Sequence, residues 1–168
     1  MGLLDAMRAK QIHINMKNMD QKMLNQINAN MKIQLNNNNM QSQQLSIFKQ
    51  SSLAQINQYF TSQQNAINQQ MTGISSVATG GVPTTQYTQL QNQLTQLRNE
   101  WEMKKAEINN AWEMANNQVA QSKTDMETYF EQRKEDLKTQ LDIDKDLIKQ
   151  DDEQIKNSSQ TMFKNDLN

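Results

Sequence analysis

The chain has 168 residues with 17 basic and 18 acidic side chains, one histidine and no cysteine. Disulfides and thiolate metal sites are therefore excluded, and a net charge of −1 without a dense basic cluster gives no footprint for nucleic acid. Only 35% of the residues are hydrophobic and 5% aromatic, too few for a thick globular core. Four glycines and one proline are too few for a turn-rich sandwich or a loop-rich α/β enzyme.

The N-terminus, Met1-Gly2-Leu3-Leu4-Asp5, has neither the basic region nor the apolar stretch of a cleaved signal peptide. Ala6 stands where an N-myristoylation site wants Ser or Thr. No apolar run approaches the ~20 residues that span a bilayer. These features leave the localisation unknown, with a cytoplasmic address or a leaderless export route as the expectations.

Residues 3–71 contain no Gly or Pro and are expected to form a first helical arm. Apolar pairs four apart recur every eleven residues: Ile12/Met16, Met23/Ile27, Ile56/Phe60 and Ile67/Met71, with Leu45 as half of a further pair. The period fails at Gln34, Asn38 and Lys49, around the run Asn36–Asn39. Four successive asparagines each cost a few tenths of a kcal/mol relative to Ala in a helix. A continuous helix is expected, and a break at the run, giving three helices, is the alternative. Seven of the twelve methionines lie in the first 40 residues, and Met suits adaptable contact surfaces. His13 has no triad or ligand partner near it in sequence, and reads as a polar side chain on the helix surface.

Residues 72–85 hold three of the four glycines and the proline, and read as a loop. Pro83 followed by Thr84 and Thr85 suits the start of a second helix.

Residues 86–163 are the second helical arm, and here the eleven-residue period is clearest. One position of the repeat carries Leu97, Ile108, Val119, Phe130 and Leu141. Another carries Trp101 and Trp112, and a third Met126, Leu137 and Ile148. Eleven residues in three turns is 3.67 per turn, which favours a nearly straight or right-handed coiled coil. The stripe is narrow, a seam for one or two partner helices rather than the wide face of a globular helix. Asp142, Asp144, Asp146 and Glu153 match positions 1, 3, 5 and 12 of a calcium-binding EF-hand loop. Leu147 stands where that loop needs Gly, so a solvated helix face is the expected reading. The two tryptophans could offer a stacking platform, but their place in the repeat makes them packing anchors. The amide bias (26 Gln and 21 Asn) is shared with amyloid-forming tracts, yet the apolar residues keep helical register.

Charge supports a fold-back. Residues 1–49 are net +4, residues 50–97 carry no charge, and residues 98–168 are net −5. Folding at the loop lays the basic half along the acidic half, with each exposed pair worth only about 0–1 kcal/mol.

The expected fold is all-α: a long antiparallel helical hairpin, a coiled coil with 11-residue repeats, forming a single elongated unit. Its expected interaction seam is Ile12, Met16, Met23, Ile27, Leu45, Ile56, Phe60, Ile67 and Met71 on the first arm. On the second it is Leu97, Trp101, Ile108, Trp112, Val119, Met126, Phe130, Leu137, Leu141 and Ile148. No catalytic, cofactor or metal site is expected, and no small-molecule substrate. The expected function is non-enzymatic: a subunit or spacer of a self-associating assembly. In architecture alone it resembles the helical subunits of extracellular appendages and phage virions. The alternative is an adaptor that docks on a protein partner or a membrane surface through the Met-rich N-terminal arm.

Overall fold

The computed structural model describes residues 2–74 and 84–167. Two helices account for nearly all of them: α1, Leu3–Thr72, and α2, Thr85–Leu167. No strand occurs among the described residues. The protein is all-α, and α1 and α2 pack against each other as a helical hairpin. Of the loop expected at 72–85, residues 75–83 lie outside the described residues, Pro83 included.

Good helix formers and the lack of internal Gly and Pro let both helices run long. The amides add to this by pairing along the surface. Gln11 donates to Asn15 and Gln21 to Asn25, each at 3.1 Å and four residues apart. Such pairs contribute about 0.2–0.5 kcal/mol each. Thr84 caps α2: its Oγ1 accepts from the Tyr87 N–H at 3.3 Å and its carbonyl from Thr88 at 3.0 Å. At the other end of the connection the Gly73 N–H reaches back to the Gln69 carbonyl at 3.2 Å and closes α1.

α1 runs through Asn36–Asn39 without a break. The propensity cost of the run is about 1 kcal/mol in all. It is offset because Asn38 is buried and hydrogen-bonded rather than solvated.

The helices form two contact units. The first joins residues 2–37 of α1 to residues 122–167 of α2, and the second is Asn38–Gln121. In the first unit Ala6, Leu24 and Ile27 are buried from α1, and Phe130 and Leu141 from α2. In the second, Phe60 is the buried apolar centre, 5% exposed, and its ring stacks on Trp101 at 5.9 Å between centroids. Along each helix the shielded residues advance by threes and fours, as two helices in lengthwise contact require.

Candidate interaction surfaces

The helix contact in the first unit is unusually polar. On α1 the side turned toward α2 carries Lys10, His13, Lys17 and Asp20 before it reaches Leu24 and Ile27, and none of these six is fully exposed. α2 answers with acids. Lys10 Nζ meets Asp152 at 2.7 Å, and His13 Nδ1 donates to the buried Asp151 carboxylate. The His13 contact is an ion pair only when the imidazole carries a proton.

Asp144 lies deepest of all, with 0% of its surface exposed. Gln140 donates to its Oδ1 at 3.1 Å, while its buried Oδ2 has no donor when both neighbouring carboxyls are ionised. The group across from it on α1 is the half-buried Asp20. A proton on Asp20 supplies the donor that Asp144 otherwise lacks. This hydrogen bond, then burial, then the neighbouring negative charge all push the Asp20 carboxyl above its ordinary value of 3.8.

The second unit is held by aromatics and amides. Trp101 donates from Nε1 to Asn57 Oδ1 at 2.9 Å while its ring lies on Phe60. Lys49 places its ammonium 4.0 Å from the centre of the Trp112 ring. Among the described residues no acceptor reaches the buried Trp112 Nε1–H. Beside that ring an apolar groove of about 590 Å³ opens, lined by Leu45, Phe48, Ile56, Ile108 and Ala115. Lys49 and Glu107 are the ionisable residues on its walls.

The residues assigned to the seam from sequence fall into three groups. Ile27, Phe60, Phe130 and Leu141 are buried. Leu45, Ile56, Ile67, Met71, Leu97, Trp101, Ile108, Trp112, Val119, Met126, Leu137 and Ile148 are half-buried. Ile12, Met16 and Met23 are instead exposed within the single chain, Ile12 by 58%. The physical reason lies in the acids of α2. They hold Lys10 and His13 in the contact, and the apolar residues beside that row are turned aside. His13, expected on the surface, belongs to the contact for the same reason.

Asn38 and Lys49 break the apolar repeat yet make two of the contacts in the second unit. An apolar period cannot find such residues. The usable signal was complementary: a basic stretch holding the lone histidine on one arm, and an acid-rich stretch on the other.

Asp142, Asp144, Asp146 and Glu153 all lie within the unbroken α2, which points Asp144 inward and leaves the other three exposed. Among the described residues no three His, Asp or Glu side chains converge on a point that could hold a metal ion. No described helix is long and apolar enough to cross a membrane.

Comparison of the chain with protein-family models, with curated proteins and with solved structures finds no match to any of the three.

Proposed function

We propose that the protein is a non-enzymatic structural protein, a helical coiled-coil subunit or spacer of a larger homo-oligomeric assembly such as an extracellular appendage or a virion. One observation carries this reading. Among the described residues six hydrophobic side chains are buried, one of them an alanine, while seventeen large ones are exposed. A single layer of two helices has no second layer to bury its outer apolar residues, and further helices supply one. The row Leu97, Ile108, Val119, Phe130 and Leu141, repeating every eleven residues on the shielded side of α2, supports the coiled-coil character. Light scattering over a concentration series tests the proposal. A mass above 19.5 kDa that grows with concentration is the expected result. A monomer at every concentration would refute it.

A second reading is an adaptor acting through the N-terminal arm. It is favoured by the exposure of Leu4, Met7, Ile12, Met16, Met19 and Met23, all within that arm. Liposome co-sedimentation and partner capture that depend on these six residues, from a chain that remains monomeric, would support it over the first.

A further inference from the structure

The exposed apolar residues of the first unit are not scattered. Ile12, Met16, Met19 and Met23 are spaced by four, three and four, so they form one stripe along α1. At about 100° per residue this stripe lies roughly 80° round the helix from the row that meets α2, namely His13, Asp20, Leu24 and Ile27. On α2, Ile143 and Leu147 are displaced in the same rotational sense from Leu141, Asp144 and Asp151. In two antiparallel helices, equal displacements of the same sense bring the two sets to one side of the pair. Lys10 and Asp152 are displaced in the opposite sense on both helices, and they do meet, at 2.7 Å. The ion pair thus marks the other side and fixes the geometry independently.

The two sides differ in chemistry. The side of Lys10 and Asp152 carries Glu131, Lys134, Lys138, Lys145 and Lys149 on α2. On the apolar side the six patch residues carry no charge, and around them stand the amides Asn15, Gln26, Gln140 and Gln150 with Arg8, Lys22 and Asp146 at the margins. Ile12 is 58% exposed, Met19 65% and Ile143 46%. Together the patch exposes on the order of 500 Å² of apolar residues, at the upper end of what a monomer shows and the size that marks an interaction site.

We infer that Ile12, Met16, Met19, Met23, Ile143 and Leu147 form the self-association face of the first unit, and that its occupant is the same face of a second copy of this chain. The inference rests on the assembly reading above and names its surface. The uncharged centre of this face can meet itself about a twofold axis without like-charge repulsion, and a margin with both signs of charge does not oppose it. With the two α1 helices antiparallel, Met16 packs on the second copy's Met19 and Ile12 on its Met23. Unbranched methionines fill such a contact readily. The flanking amides bring each side to roughly the 800 Å² of a standard interface. Two helical pairs face to face make a four-helix arrangement with a dry centre. A lipid-facing layer would carry several aromatic anchors within a rim of Lys and Arg, whereas this patch holds no aromatic residue and its margin has both signs of charge, Arg8 and Lys22 with Asp146.

The test uses the full chain and two variants, Met19→Glu in the patch and Ile33→Glu as control. Ile33 is 60% exposed and lies on the same helix, ten residues or about 15 Å beyond Met23, the last patch residue of α1. Both sites are open to solvent, so both variants keep wild-type melting curves by circular dichroism. Light scattering should show self-association weakened by about a hundredfold in Met19→Glu, as for a charge placed at the centre of an interface, and unchanged in Ile33→Glu. Wild-type protein that associates while Met19→Glu associates equally well would overturn this face and leave the assembly reading standing. Wild-type protein that stays monomeric would overturn both. Monomeric protein that binds neutral or anionic vesicles through Met19 would replace the second copy by a lipid surface, and so overturn the inference.

Discussion

Asn38, buried on α1, donates from Nδ2 to the main-chain carbonyl of Val119 on α2 at 3.0 Å. A helix carbonyl keeps a second lone pair beyond its own ladder bond, so α2 stays regular while it accepts. The bond fixes the lengthwise register of the second unit. Sliding either helix by a turn would leave the amide buried without a partner, at about 1–3 kcal/mol. Asn38→Ala should therefore destabilise this unit by about 1–2 kcal/mol. Asn38→Leu should match or exceed wild-type stability, because an apolar residue of that size suits the contact. Both tryptophans lie in the second unit, so their fluorescence in urea follows its unfolding. Coincident urea midpoints for wild type and Asn38→Ala would show that the bond contributes nothing.

Much of the fold was legible because its causes are local. Two long stretches free of Gly and Pro become two helices, and a cluster of both residue types separates them. The row Leu97 to Leu141 was legible because apolar side chains in the second arm keep one period and lie on the shielded side. The contact in the first unit was not legible by that route. Its inward row begins with Lys10, His13, Lys17 and Asp20, and the first two are bonded to acids more than a hundred residues away. A hydrophobic period is blind to a polar seam, and it selected Ile12, Met16 and Met23 beside it. Continuity through Asn36–Asn39 was expected from the sequence; the bond of Asn38 to the distant Val119 carbonyl was not.

Phe60 and Trp101 form a stacked pair with rings 6° from parallel, and Asn57 holds the indole N–H. Removing the phenyl ring exposes one face of the indole and leaves a void at the most buried apolar position of the second unit. Phe60→Ala should cost about 3–4 kcal/mol and shift the tryptophan emission to the red. Emission and urea midpoint both unchanged would mean that the stack does not hold the unit together.

Phe130 plays the corresponding part in the first unit, where it is 5% exposed. Phe130→Asp introduces an unpaired carboxylate at this buried position. The expected cost is several kcal/mol, on the order of other buried-charge defects. Phe130→Leu, which keeps the apolar volume, should cost about 1 kcal/mol. The thermal midpoint by circular dichroism separates the two. An Asp variant that melts with wild type would remove Phe130 from the helix contact.

Asp20 and Asp144 give the first unit a pH dependence of unusual sign. The Asp20 carboxyl is raised in the folded chain, so the folded state holds its proton more tightly than the unfolded state does. The resulting stabilisation is fully present below the unfolded value, near 3.8, and is lost as the pH rises through the raised folded value. Acidification from neutrality should therefore strengthen this contact until other carboxylates protonate. Asp20→Asn places a permanent amide donor beside Asp144. The variant should be more stable than wild type at neutral pH, and its melting temperature should depend less on pH between neutrality and the ordinary carboxylate range. Asp144→Asn serves as the complementary variant, because it removes the negative charge that faces Asp20. A carbon-13 titration of the Asp20 carboxyl should then move back toward 3.8. Titration curves for Asp20 that coincide in wild type and Asp144→Asn would show that the two carboxyls do not share a proton.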